Sequence, residues 1–263
     1  VTLIRLTPWD LVLAGALVLL LAALSARLKL AIERPLLVGV ARMAVQLFLI
    51  GYVLKALFAS NNPVWVALLA VVMLAVAGRE TMARQRRRLT GPWGYALGTG
   101  ALFVAAFSVA LLALTVMLSP EPWYHPRYAI PLLGLMLGNT MTAVALGLNH
   151  LISEAAERRE QIEQRLALGE TYHEAMADIR RAAVHTGIIP VVNAMAAAGI
   201  VSLPGIMTGQ ILAGAPPVEA VKYQILIMLL IGASAGLGLV AAVWLAGRRL
   251  FDERHRLRLD RVT

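Results

Sequence analysis

The chain has 263 residues, 59% of them hydrophobic, with a net charge of +9 and no cysteine. A mean hydropathy of +0.74 is too high for a soluble globule, and the length suits one membrane domain. The missing cysteines exclude a disulfide framework and thiolate metal sites, and the basic residues fall in short clusters between apolar runs. That is an orientation signal in a membrane protein, not the contiguous basic face that binds nucleic acid.

The first apolar run resembles a signal peptide, because Arg5 precedes it and Ala23-Leu24-Ser25-Ala26 looks like a cleavage site. Arg27, Lys29 and Arg34 follow it, however, so the stronger basic cluster lies on the wrong side for a signal peptide. The run therefore reads as a first transmembrane helix over 11–28. A second span covers 36–58, with Arg42 near its start and Lys55 near its end, where basic side chains reach the interface. Asn61-Asn62-Pro63 predicts a tight turn, and 64–78 a short third span. Arg79, Arg84 and Arg86-Arg87-Arg88 form a basic loop before a fourth span over 93–118. Ser119 to Tyr128 is a turn rich in Pro and aromatics, with Trp123 and Tyr124 placed for the headgroup belt. A fifth span follows over 129–152.

Residues 153–187 are the longest polar segment. Ile162 and Leu166 repeat at helical spacing, Gly169 can end that helix in a left-handed conformation, and Thr171 with Glu174 forms a capping box for a second helix. The second helix places Tyr172, Met176 and Ile179 on one face. Such an elbow suits either docking on a soluble partner or lying flat on a lipid surface. Beyond it, Ile188 to Val218 carries no charged side chain. As one straight helix at about 1.5 Å per residue that run would exceed a hydrocarbon core of about 30 Å, so a break is expected at Pro204-Gly205 and Gly214. The sixth span is read as 188–203, followed by a turn or re-entrant piece. Pro216-Pro217 with Glu219 starts the last span, 217–247, and an arginine-rich tail closes the chain.

The fold expected is thus an all-α membrane protein of about seven transmembrane helices in one transmembrane domain over 1–263. Seven spans put the termini on opposite sides. With the N-terminus outside, only Arg5, Lys55, Arg127 and Lys222 of the 24 basic residues face outward, so the elbow and C-terminus are assigned to the cytoplasm. No P-loop, H-E-x-x-H or G-x-S-x-G motif occurs, and the five histidines are scattered. Neither catalytic residues nor cofactors are expected, and the metal ligands are left unassigned. Inside the spans lies a sparse polar set: Gln46, Asn139, Thr140, Thr142, Asn193, Thr208 and Gln210. Interhelical hydrogen bonds are the bland role for each. With the methionines around them, they are also candidates to line a path for a soft or borderline metal ion: Gln46, Met136, Asn139, Met141, Asn193, Met207 and Gln210. Glycine pairs at 134/138, 205/209 and 232/236 predict close helix packing, within the monomer or at a dimer seam.

Several stretches converge on one family. PLLGLMLGNTMTAV (131–144), EQIEQRLALGET (160–171) and VSLPGIMTGQILAGAPPVEAVKYQI (201–225), with Arg42, Gln46, Leu47 and GYVLK at 51–55, resemble the bacterial iron-export ABC permeases of the FetB type. The same broad family includes plant membrane subunits linked to aluminium tolerance. The elbow also partly resembles the EAA loop of ABC importer permeases, with Glu163, Gly169 and Ile179 at matching places. It departs from that pattern at Gln164, Arg165, Arg181 and Ala182. The resemblance implies a permease subunit in the bacterial inner membrane, working as a homodimer with a separate ATPase that binds the ATP, and exporting iron or a similar metal ion. Glu163, Gly169, Thr171, Tyr172, Met176 and Ile179 are then the coupling residues. Alternatives are an ATP-independent channel, a membrane scaffold, or an ABC permease for another cargo such as a nucleotide sugar.

Overall fold

The computed structural model describes residues 7–60, 62–85, 87–252 and 254–262. Arg5, Asn61 and Arg86 lie outside the described residues. Among the described residues the regular structure is helical. Six helices among the described residues are long and apolar enough to cross a membrane. The described residues form two compact units, one of 7–60 with 212–214 and one of the remainder.

In the first unit, α1 (Pro8–Arg27) and α2 (Glu33–Ser60) make a hairpin. Thr7 opens α1 because its backbone N–H donates to Asp10 Oδ2 at 2.7 Å, and Pro8 takes the first-turn position where no amide donor is needed. The hairpin turn is stapled by Ser25, which is fully buried. Its hydroxyl donates to Glu33 Oε2 at 2.8 Å and accepts from the Ile32 amide. Leu13, Leu17 and Leu20 are exposed, as suits lipid-facing side chains.

The second unit opens with α3 (Pro63–Ala83), capped by Asn62 Oδ1, which accepts from the Val64 amide at 2.9 Å. Next, α4 (Pro92–Met117) contains two π-helical stretches, Phe103–Phe107 and Ala113–Met117. Then come α5 (Pro126–Glu157), α6 (Arg159–Ala167), the four-residue α7 (Tyr172–Ala175), α8 (Ala177–Ala197), α9 (Gly205–Leu212) and α10 (Pro217–Arg249).

The core of this unit lies where α5, α8 and α10 pack together. Met136, Val144, Leu151, Leu239 and Val243 are all buried there. The three helices approach closely at glycines. A Cβ on Gly187 would stand 2.7 Å from the Ala143 carbonyl oxygen and 2.7 Å from Leu239 Cδ1, and one on Gly147 would meet Leu239 and the Ala183 carbonyl. These contacts fix the directions. Thr140 meets Ser234 and Gly147 meets Leu239, so α5 and α10 are parallel. Gly187 faces Ala143, and Met195 faces Gly232, so α8 runs antiparallel to both.

The elbow differs from the expected two helices and a hinge. The fifth span runs unbroken to Glu157 and breaks only at Arg158, whose backbone leaves the helical region. The second elbow helix ends after one turn at Met176. From Ala177 a single helix continues to Ala197, so no break separates the elbow at 187 from the expected span over 188–203. Asp178, Arg180 and Arg181 in its first turns keep α8 out of the six apolar helices. Beyond it the chain does break, at 198–204 and again at 213–216, with Gly199 and Gly214 both at positive φ.

Candidate functional site

The elbow is built by local rules that are plain in its sequence. Leu168, Gly169 and Glu170 close α6: Gly169 has φ +94°, and the Glu170 amide donates back to the Arg165 carbonyl at 3.1 Å. Thr171 caps α7, its amide donating to Glu174 Oε2 at 2.8 Å while its hydroxyl accepts from the Glu174 amide. Arg165 spans the turn, pairing with Glu170 at 2.6 Å and with Asp178 at 3.6 Å. Leu168 stands at the tip, 85% exposed.

The apolar face of the elbow turns inward. Met176 and Ile179 are buried, as is Ile162, while Glu163, Gly169 and Thr171 remain exposed. Tyr172 stacks 5.4 Å from Phe251 and 5.3 Å from His255, and its amide donates to His255 Nδ1 at 3.3 Å. Next to it, His173 lies 5.2 Å from Trp244, and the Arg180 guanidinium sits 4.6 Å over the same indole. Arg180 Nη1 contacts His173 Nδ1 at 2.9 Å, and Nη2 donates to the His173 carbonyl. Partial burial, then the adjacent Arg180 charge, holds His173 below the usual imidazole range, with His255 and Arg248 acting in the same direction and Glu174 opposing. The elbow is therefore clamped to the end of α10 through aromatic rings and one arginine.

The tail after α10 is folded. The Arg258 amide donates to the Leu250 carbonyl at 2.8 Å, and Phe251 and Leu257 form a bridge. Asp252 accepts from the Arg254 and Arg256 amides and from Arg256 Nε, each at 2.9 Å. The Arg256 amide foremost holds the Asp252 carboxyl below the ordinary range, and the Arg258 guanidinium takes the Asp260 carboxyl down to about 2. The tail also reaches the α3–α4 loop, where the Thr90 amide donates to the Arg261 carbonyl at 2.8 Å. Elbow, tail and α3–α4 loop thus share one arginine-rich face. No pattern in the sequence marks Trp244, Phe251 and His255 as partners of the elbow, beyond their being aromatic.

The expected path residues are not gathered into one cavity. Met136 is buried in the helix core, and Asn139, half-buried, donates to the Leu135 carbonyl of its own helix at 2.9 Å. Met141 is half-buried on α5, Asn193 is exposed on α8, and Met207 and Gln210 lie on α9. Gln46 belongs to α2 of the other unit and is exposed. An apolar groove of about 570 Å³ does open between α3, α4 and α5, rimmed by Trp123 and Tyr124, but none of the seven lines it. Two buried polar groups of α10 stand outside the expected set. They are Ser234, whose hydroxyl is 2.7 Å from that of Thr140, and Gln224, whose Oε1 lacks a partner among the described residues. Both fall among the small or apolar residues of α10 at core spacing, which hid them. Among the described residues no three His, Asp or Glu side chains converge as a metal site.

Several known proteins resemble this chain along most of its length. YjkA of Bacillus subtilis, a UPF0014 membrane protein, is 36% identical over 243 residues, 92% of this chain and 94% of its own. The probable iron export permease protein FetB of Escherichia coli is 33% identical over 262 residues, 96% of this chain and 95% of its own. The protein ALUMINUM SENSITIVE 3 of Arabidopsis thaliana is 32% identical over 246 residues, 93% and 88%. No solved structure matches. The family described as Uncharacterised protein family (UPF0014) matches residues 8–251, nearly all of the chain from α1 to the start of the tail. With six apolar helices among the described residues and membrane-protein relatives that match along almost their whole length, this multi-pass chain belongs to the UPF0014 family.

Proposed function

We propose that this chain is the membrane permease subunit of an ABC exporter in a bacterial inner membrane. In this reading it acts as a homodimer with a separate ATPase and moves iron or a similar metal ion out of the cytoplasm. The observation that carries the reading is the elbow: a capped helix–Gly–helix projection, with Leu168 at its tip, hung between α5 and α8. The similarity to a probable iron export permease supplies the cargo, and the elbow supplies a surface on which ATP-driven work can act. ATP binding at the partner would displace the elbow, and α5, α8 and α10 would move with it between inward and outward access.

The proposed topology has seven crossings, with the arginine-rich face in the cytoplasm. Because α5 and α10 are parallel, the chain between them must return through the full height of the bundle. In this reading α8 carries the first part of that return and residues 198–216 the rest. Basic residues of the elbow, tail and α3–α4 loop then lie on the side where positive charge is retained.

Radio-iron uptake into everted vesicles carrying this chain and its ATPase tests the reading. ATP-dependent accumulation that is lost when Gly169 or Leu168 is replaced by a bulky charged residue is the expected result. Iron excluded while hydrolysis still depends on the chain would remove iron as cargo. Absence of any ATPase interaction would leave the ATP-independent channel or scaffold.

A further inference from the structure

A notch of about 600 Å³ lies beside the elbow tip. One wall is α6 and its turn, with Glu163, Leu166, Ala167 and Glu170, and the other is the C-terminal tail, with Arg254, His255, Arg256, Leu257 and Arg258. Its charges are unequal. Glu163 and Glu170 are already paired to Arg159 at 2.7 Å and Arg165 at 2.6 Å. Arg256 and Arg258 are held by Asp252 at 2.9 Å and Asp260 at 2.8 Å, whereas among the described residues Arg254 has no carboxylate partner. What remains is a notch lined by the apolar Leu166 and Leu257 and by Arg254, whose guanidinium has no carboxylate partner among the described residues, with the exposed Leu168 two residues from Leu166 on the elbow.

We infer that the ATPase docks into a two-walled socket, of which the C-terminal tail is half, and that it presents an acidic and apolar knob to Arg254 and Leu257. The inference rests on the ABC reading and adds to it that the elbow alone is an incomplete docking surface. The tail is pre-formed, because its own hydrogen bonds shape it and Tyr172 with His255 pins it to the elbow. Pre-formed surfaces lose less conformational freedom on binding. Arg254, Arg256 and Arg258 outnumber Glu163 and Glu170 along the notch, so an acidic protein surface that docks on the adjoining elbow is complementary to it.

The experiment measures binding of the purified ATPase to the full chain in phosphatidylcholine nanodiscs. Wild type is compared with Leu168→Asp, Arg254→Glu and Arg254→Lys. Arg254→Glu should weaken binding at least about tenfold at low salt and less at high salt, as expected for a charge facing an acidic partner, whereas Arg254→Lys should stay within about threefold. Leu168→Asp should weaken binding at either salt concentration. If Leu168→Asp weakens binding while Arg254→Glu matches wild type, the elbow docks alone and the socket is wrong. An Arg254→Glu effect seen only when phosphatidylglycerol is added assigns the arginine to headgroups and overturns the proposal. If the wild-type chain does not bind the ATPase, the ABC reading itself falls, and the socket with it.

Discussion

At the scale of single residues, Gly169 and His173 set the elbow. With φ +94° Gly169 occupies backbone space that a Cβ disfavours, so Gly169→Ala should cost about 1 kcal/mol of local stability. The measure is faster amide exchange across 166–174 and a lower melting temperature. His173 is held below its ordinary pKa, so the unfolded form takes up a proton first as pH falls. The clamp's contribution is therefore intact above about pH 6.5 and declines below it, down to the folded-state value. Amide exchange of 172–181 should rise through that window, and His173→Phe should flatten the rise. Thr140 and Ser234 share a fully buried hydrogen bond between α5 and α10. Thr140→Val should destabilise the pair by about 1 kcal/mol, measured as unfolding in mild detergent.

At the scale of elements, what could be read in advance followed locality. Caps and turns were legible because their rules span a few residues: Thr171 with Glu174, Asn62 before Pro63, Gly169 after Leu168. Helix bounds drifted where a continuous helix changes environment, as at 187, since hydropathy marks the medium and not the hydrogen bonding. Glycine pairs were half legible. Gly134 and Gly232 do meet methionine side chains of neighbouring helices, but a Cβ on Gly138, Gly205, Gly209 or Gly236 meets nothing within 4 Å, and the tightest contacts include those of Gly147, Gly187 and Gly238. Spacing within one helix cannot say which face another helix will cover. Accordingly Gly187→Ala should cost about 1–3 kcal/mol by driving α8 away from a backbone carbonyl, while Gly138→Ala should leave stability unchanged within the protomer; thermal unfolding of the two variants decides it. The clamp on α10 was invisible for the same reason, since Trp244 is far from the elbow in sequence. Trp244→Ala should loosen 172–181 in amide exchange and lower transport more than ATP hydrolysis, because the elbow would then move without carrying α10.

At the scale of the whole molecule, the alternation of hydropathy marks seven spans; six of them stand as long apolar helices among the described residues, and the one expected over 188–203 does not. The candidate path was not legible, because a path through a membrane depends on which helix faces are covered. In the transport assay, Asn139→Leu and Met207→Leu should each lower iron efflux if those side chains line the path; unchanged efflux in well-expressed protein would strike them from it. Gln224 joins them as a position to test, since its buried oxygen has no donor among the described residues.

The helix α8 packs Ile179, Ala183, Gly187 and Val191 in one buried stripe against α5 and α10, yet it is too polar to rank with the six apolar helices. In the seven-crossing topology it cannot be drawn into lipid on its own account, and its favourable surroundings exist only after α10 has been synthesised. Biogenesis of this part of the protein is then a late and cooperative event: a ribosome-arrested chain ending before residue 217 should leave α8 in water, where a cysteine placed at Ala182 or Ala196 would react with an impermeant reagent. Completion of α10 should protect the second position and leave the first accessible.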